Sequence, residues 1–238
     1  MISLPILHHD RTYSCDPRTI LGVGLNYREH IAEHLPPDQR GGALDIPAEP
    51  ILFAMTPNVL LAPGAPIVLP RFIDDYQFAE PRIEHEAELA VIVKDRCKDL
   101  PESEALDHVL GYTCFNDVSQ RNLQKGDRSG WFRGKSLDTF GPVGPAVVLA
   151  EDVPDPQDLD IICRVNGQLR QHSNTRHMIF SVTTLLAFIS RNITLHAGDL
   201  IATGTPSGVG PLRHGDMVEV EIGGIGVLRN PVMAEGHD

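Results

Sequence analysis

The sequence predicts a β-rich α+β fold. Segments of strand character outnumber helical ones and do not alternate regularly with helices, which argues against a doubly wound parallel sheet. The 21 glycines and 19 prolines fit many short strands joined by turns. A length of 238 residues suits a single domain, 1–238, with a sizeable core.

The first strand is Thr19-Ile-Leu-Gly-Val-Gly24. A helix is expected from Tyr27 to His34. It ends at the polar, Pro/Gly-rich Leu35-Pro-Pro-Asp-Gln-Arg-Gly-Gly42, a composition that suits a mobile lid, so the lid region is set at about 26–48. Strands follow at Pro50–Met55, Ile67–Leu69, Glu86–Val93, Val109–Asn116 and Ala146–Leu149. Asp160–Val165 and Gln168–Arg170 form a hairpin, because Asn166-Gly167 tolerates the positive φ of a tight turn. Helices are predicted over Glu102–His108, Ser119–Lys125 and Ile179–Ser190, where apolar residues recur at helical spacing. Leu200–Ala202, Met217–Ile222 and Gly226–Leu228 return to strand.

Charge narrows the function. Lys and Arg total 20 against 32 Asp and Glu, a net charge of −12. Nucleic acid and anionic membranes want clustered cations, so neither is an expected partner. No apolar run approaches the roughly 18–20 residues needed to span a bilayer. Met1–Asp10 lacks the basic start and apolar stretch of a secretory signal, and a cytoplasmic location is expected. Cys15, Cys97, Cys114 and Cys163 are far apart and form no CxxC pair, which suits reduced thiols rather than zinc or disulfides.

Four constellations bear on chemistry. Glu84, Glu86 and Glu88 share one parity, so a strand would aim all three carboxylates to one face, opposite Ala87, Leu89 and Val91. Two readings fit. The face is solvated, or a divalent cation relieves the repulsion. Oxygen-only ligands suit Mg²⁺, Mn²⁺ or Ca²⁺ rather than zinc. Asp117, at the end of Gly111–Asn116, is a further ligand or a helix cap. Arg121 and Gln124 follow it on one helix face.

Lys135 stands among small residues after Trp131, either solvated in a turn or holding an anion. His30 and Glu33, three residues apart on the first helix, form a surface pair or a general base with its orienter. Thr203-Gly-Thr-Pro-Ser-Gly-Val-Gly210 exposes backbone N–H groups to an anion, yet no Gly-Lys-Ser/Thr follows it. Gly22-Val-Gly24 lacks the third glycine of a dinucleotide fingerprint, because Tyr27 stands there. His85, His172, His177 and His196 have no partner at ligand spacing.

Together these pieces resemble the fumarylacetoacetate hydrolase family. The matching segments are Gly24-Leu-Asn-Tyr-Arg-Glu-His30, Glu86-Ala-Glu-Leu-Ala-Val91, Gly111-Tyr-Thr-Cys-Phe-Asn-Asp-Val-Ser119, Gly134-Lys-Ser-Leu-Asp-Thr139, Val165-Asn-Gly167, Gly198-Asp199 and Thr203–Gly210. They run in order over about Ile20 to Leu228. The resemblance implies a mixed β-sheet roll with an N-terminal lid helix, a homodimer, and Mg²⁺ or Mn²⁺ held by Glu86, Glu88 and Asp117. It implies a catalytic dyad of His30 and Glu33, a substrate-side Lys135, and substrate contacts from Arg121, Gln124 and Thr205. Three features depart from the family pattern: Met55 stands where lysine is common, Ser119-Gln-Arg-Asn122 replaces Ser-Ala-Arg-Asp, and Arg71–Ile83 is long and acidic.

What the resemblance implies about activity is hydrolysis of a C–C bond in an acylpyruvate such as fumarylpyruvate, as in aromatic catabolism. The small anionic 2-oxo acid would chelate the metal, and His30 would deprotonate the attacking water. The alternative is isomerisation or decarboxylation of a 2-hydroxyhepta-2,4-diene-1,7-dioate-like or oxaloacetate-like substrate, which passes through the same stabilised enolate. A non-catalytic binding protein would be expected to have lost one of Glu86, Glu88, Asp117, His30, Glu33 or Lys135.

Overall fold

The computed structural model describes residues 1–33, 35, 44–126, 128 and 130–236. In chain order the strands are β1 (Ile2–Pro5), β2 (Thr12–Cys15), β3 (Ile20–Gly24), β4 (Ile51–Met55), β5 (Leu60–Leu61), β6 (Ile67–Leu69), β7 (Ile83–His85), β8 (Ala87–Val93), β9 (Val109–Asn116), β10 (Ser119–Gln120), β11 (Gly141–Leu149), β12 (Asp160–Val165), β13 (Gln168–Asn174), β14 (Leu200–Ala202), β15 (Gly210–Pro211), β16 (Met217–Ile222) and β17 (Gly226–Ala234). The α-helices are α1 (Arg28–Glu33), α2 (Arg121–Gly126), α3 (Phe132–Lys135) and α4 (Val182–Asn192).

A seven-stranded mixed sheet runs β4-β3-β14-β8-β9-β11-β5, and a five-stranded sheet runs β13-β12-β16-β17-β6. Alternate residues of β8 serve different cores. Leu89 and Val91 pack with Ile161, Cys163 and Val220 of the five-stranded sheet. Ala90 and Ile92 pack with Ile20, Leu200 and Leu4, under the β1–β2 hairpin. A strand buried on both faces needs apolar side chains on both, so Ala87–Val93 shows no polar alternation beyond Glu88.

Most predicted elements are present, with several local differences, and the helix expected over Glu102–His108 is a 3-10 helix rather than an α-helix. The strand expected over Glu86–Val93 breaks at Glu86, and β7 leaves the large sheet to pair with β10 and β15. Ser119–Lys125 is not one helix. Ser119 and Gln120 pair with β7, and α2 starts at Arg121, where the Gln120 side-chain oxygen accepts from the N–H groups of Asn122 and Leu123. The helix expected from Ile179 begins at Val182, because Ser181 Oγ caps it by accepting from Thr184 N. The β1–β2 hairpin was not foreseen. The turn at Asn166 (φ 53°) and Gly167 (φ 73°) is as predicted. Apart from Leu35, the proline- and glycine-rich segment 35–42 lies outside the described residues, as does His34.

Candidate functional site

The site lies where β8 begins and β9 ends. These strands are antiparallel neighbours, with Ala87 opposite Asn116, so the carboxylates flanking that pair meet. Asp117 N donates to Glu86 O at 2.9 Å, which closes the ladder one step beyond the strands. One carboxylate oxygen each from Glu86, Glu88 and Asp117 lies within 4.8 Å of the others. All three residues are buried. The solvated-face reading and the helix-cap reading of Asp117 are therefore both overturned: Asp117 Oδ2 meets Lys135 instead of a helix terminus.

Two cations offset this charge. Lys135 Nζ lies 2.6 Å from Glu86 Oε2 and 2.5 Å from Asp117 Oδ2. It also lies 5.1 Å from the centroid of the Phe53 ring. Lys135 is not a solvated turn residue, since it ends α3 and is 2% exposed. Its approach depends on Gly134, where a Cβ would come within 2.8 Å of Gln124 Cβ. Arg121 pairs with Glu86 Oε1, donates from Nε to Glu84 Oε2 at 2.6 Å, and donates from Nη1 to Gln124 Oε1 at 3.0 Å. Glu84 is thus no part of the triad. It holds Arg121 in place, and Arg82 pairs with its other oxygen.

The three carboxylates differ in protonation. Burial would raise Glu86, but Arg121 and then Lys135 hold it well below the usual carboxylate range. Burial, then the charges of Asp117 and Glu86, push Glu88 well above that range. Burial, opposed by Lys135 and reinforced by Glu86, raises Asp117 to about 6. Lys135 is raised as well, because Asp117 and Glu86 outweigh its desolvation. Without a further positive charge, the site tends to retain protons on its carboxylates. The buried Asp117 Oδ1 has no hydrogen-bond partner among the described residues. Clustered, all-oxygen donors and an unpartnered buried carboxylate oxygen fit a hard divalent cation such as Mg²⁺ or Mn²⁺.

The Gly-rich loop after β14 wraps the triad. Gly204 N donates to Glu88 Oε2 at 2.8 Å, and Thr203 and Thr205 hydroxyls donate to Leu89 O and Ala87 O. Gly204 has φ 101°, and a Cβ there would come within 2.6 Å of Asn26 Cβ, so only glycine fits. Asn26 ties this loop to the start of α1, donating to Thr203 O at 2.8 Å. On α1, His30 Nδ1 lies 2.6 Å from Glu33 Oε1, and Glu33 Oε2 accepts from Gly208 N at 2.8 Å. The dyad is therefore fixed to the same loop that contacts Glu88. His30 is 5% exposed, which does not fit an open surface pair.

A cavity of about 200 Å³ joins these groups. His30, Glu86, Glu88, Arg121, Gln124, Lys135 and Thr205 all line it; Asp117 lies behind Lys135. Val23, Phe53 and Trp131 give it an apolar side, with the two rings edge to face at 5.6 Å.

Gln171 was not foreseen. Its buried amide accepts from Ala87 N at 3.0 Å and donates to Thr205 Oγ1 at 2.7 Å and Pro206 O at 2.9 Å. Because the oxygen faces a backbone N–H, His85 Nδ1, 3.1 Å away, must donate to it as well. Burial lowers the His85 pKa. Nothing in the local spacing of β13 signals this bridge, since its partners are at least 34 residues away.

Two departures acquire a place. Met55 is buried in the apolar cluster that includes Ile20 and Leu200. Asn122 fastens the long segment before β7: it accepts from Arg82 N at 2.9 Å and donates to Glu80 O at 3.1 Å. In that segment Tyr76 stacks on Phe78 at 5.3 Å and lies beneath the Arg133 guanidinium of α3.

The family described as fumarylacetoacetate (FAA) hydrolase C-terminal matches residues 19–233. The fumarylpyruvate hydrolase of Pseudomonas aeruginosa, solved with Mn²⁺ and pyruvate, superposes with a TM-score of 0.83 at 29% identity, covering 98% of this chain and 96% of that one. A 2-hydroxyhepta-2,4-diene-1,7-dioate isomerase from Mycobacterium marinum gives 0.79 at 38% identity, covering 96% and 82%. The mitochondrial oxaloacetate tautomerase fahd2 of Xenopus laevis is 39% identical over 226 residues, 92% of this chain and 66% of that protein.

Proposed function

The chain belongs to the fumarylacetoacetate hydrolase family, and from that premise we propose that it is a divalent-metal-dependent hydrolase cleaving a C–C bond in an acylpyruvate-type 2-oxo acid. One observation carries the reading: Glu86 and Glu88, two members of a buried triad completed by Asp117, line the same cavity as a histidine whose Nδ1 is held by a carboxylate. Similarity to a fumarylpyruvate hydrolase solved with Mn²⁺ and pyruvate supports it.

Glu86, Glu88 and Asp117 would hold Mg²⁺ or Mn²⁺, which when bound supplies Lewis-acid polarisation of the 2-oxo acid. Glu33 keeps the proton of His30 on Nδ1, so the other ring nitrogen takes a proton from water. That water attacks the distal carbonyl. Gln124 has its oxygen engaged by Arg121, which leaves its Nε2 to donate to the developing oxyanion. Lys135 adds positive potential beside it. Cleavage of the C–C bond leaves a carboxylic acid and a three-carbon enolate, and the proton held by His30 returns to that fragment. Thr205 spends its hydroxyl proton on Ala87 O, so its contact with a substrate carboxylate falls to its backbone N–H.

The second reading is isomerisation, tautomerisation or decarboxylation of a hydroxydienedioate or oxaloacetate. Similarity to the Mycobacterium marinum isomerase and the Xenopus laevis tautomerase favours it. A panel of fumarylpyruvate, acetylpyruvate, oxaloacetate and 2-hydroxyhepta-2,4-diene-1,7-dioate decides between them. Metal-dependent release of pyruvate from the acylpyruvates supports hydrolysis. Enol–keto conversion without C–C cleavage contradicts it. A cytoplasmic homodimer is part of the same proposal, and sedimentation analysis tests the assembly.

A further inference from the structure

We infer that Phe53 is a positioning residue whose ring, seated on Gly22, holds the Lys135 ammonium in place when a divalent cation takes a share of Glu86 and Asp117. The inference rests on the metal and hydrolase readings above and adds a residue to them.

Gly22 and Gly24 lie on one face of β3, and Phe53 of β4 is the cross-strand partner of Gly22. A Cβ on Gly22 would come within 2.2 Å of Phe53 Cζ, and one on Gly24 within 2.3 Å of Trp131 Cζ3. Each ring therefore rests directly on a glycine backbone. The two glycines that fail as a dinucleotide fingerprint are thus seats for two rings, which meet edge to face. Trp131 takes φ 72°, a left-handed backbone that a bulky residue adopts only where its surroundings hold it. Its carbonyl accepts from Lys135 N at 3.2 Å, so the turn that carries Lys135 starts from the second seat.

The first seat serves the ammonium itself. Lys135 is the one buried lysine of the chain's four, since Lys94, Lys98 and Lys125 are exposed. Both of its ion pairs go to members of the triad, and a longer bond goes to Asp117 O at 3.4 Å. A cation on the triad would draw on the charge of both carboxylates. The Phe53 ring, 5.1 Å away, attracts the ammonium through its π face and depends on neither. A lysine side chain has a long flexible stem, so it keeps one position only while some contact persists. A buried ring that is itself backed by a glycine supplies that contact.

The test labels the lysines with ¹³C and follows their Cε protons by NMR, metal-free and with Mg²⁺. Wild type should show one signal displaced upfield by the ring in both states, assigned by its loss in Lys135→Met. Phe53→Leu should bring that signal toward the other three. No displaced signal with Mg²⁺, or one unchanged in Phe53→Leu, overturns the inference. Acylpyruvate turnover supplies the second arm. Phe53→Leu should lower kcat about tenfold, the range of a desolvated cation–ring contact, with little change in KM. It should lower kcat no further in a Lys135→Met background, whereas additive losses would make Phe53 a packing residue only. Trifluorophenylalanine placed at position 53 alone keeps the ring's shape and empties its face of charge, so kcat should fall with the fold intact. An undiminished kcat there overturns the inference. Absence of turnover in a wild type whose displaced signal is present overturns the hydrolase reading and leaves the placement of Lys135 standing. Mg²⁺ that perturbs no signal overturns the metal reading, and the inference with it.

Discussion

The Lys135 ammonium lies 2.5 Å from Asp117 Oδ2, and both groups are almost wholly shielded from water. A buried carboxylate of this kind keeps its charge only beside a cation. Lys135→Met leaves Glu86 and Asp117 short of one, and should destabilise the metal-free protein by roughly 3–5 kcal/mol. Mg²⁺ or Mn²⁺ should restore part of that loss. Urea unfolding with and without metal measures both, and an identical loss in both conditions contradicts the arrangement.

His30→Ala removes the proposed base but no group of the triad. Turnover should fall about 10²–10⁴-fold. Metal affinity should stay within a factor of two or so of wild type, less than the tenfold that 1.4 kcal/mol represents. Glu33→Gln should reduce kcat by less, since it weakens the Nδ1 contact without removing the ring. Single-turnover kinetics with a parallel metal titration separates the effects. Undiminished turnover in His30→Ala removes the dyad from the mechanism.

Acidity should govern metal binding. Asp117 is raised from 3.8 to about 6 and Glu88 is raised too, so each binds its proton more tightly folded than unfolded. For Asp117 that contribution to metal-free stability is fully present below pH 3.8 and is lost as pH rises through about 6. Glu86 has the opposite sign, its contribution being lost on acidification. A cation must displace the protons on Asp117 and Glu88. Its stabilising effect should therefore grow between about pH 5 and 7, with protons released on binding. Thermal melts across that range, with and without Mg²⁺, test the sign. A metal-induced shift that does not change with pH contradicts it.

Gln171→Leu keeps the volume of the side chain and deletes four hydrogen bonds. Stranding the buried Ala87 N–H, with the loss of the amide's bonds to Thr205 Oγ1 and Pro206 O, should cost about 2–3 kcal/mol. Ala87 lies between two triad members, so Mn²⁺ affinity should weaken as well. Loss of stability with metal affinity unchanged would make Gln171 a fold residue only.

Much of this site was legible in the chain. Glu86 and Glu88 announce themselves by parity, Asp117 by its place at a strand end, and His30 with Glu33 by helical spacing, because each pattern is local. The ordered motifs also pointed to the family. What the sequence hid is long-range. Glu84 read as a possible member of the acidic face, yet its partner Arg121 is 37 residues away. Gln171 meets Ala87 across 84 residues, and no local periodicity encodes that. The length of the 71–83 segment was visible, but its fastening by Asn122 was not, since that bond needs the β7–β10 pairing to exist first. Arg121 as the start of a helix was obscured by Ser119 and Gln120, which tertiary pairing draws into a strand.

The central claim is that Glu86, Glu88 and Asp117 form one divalent-cation site. Mn²⁺ binding followed by electron paramagnetic resonance, on wild type and Glu88→Gln, tests it most directly. Glutamine can still accept from Gly204 N–H, so the loop stays in place while the charge is lost. The account predicts one tight Mn²⁺ per wild-type chain and affinity weakened about tenfold or more in Glu88→Gln, the tenfold step being 1.4 kcal/mol. Equal Mn²⁺ affinity in the two proteins, or no tight binding to wild type, would contradict it.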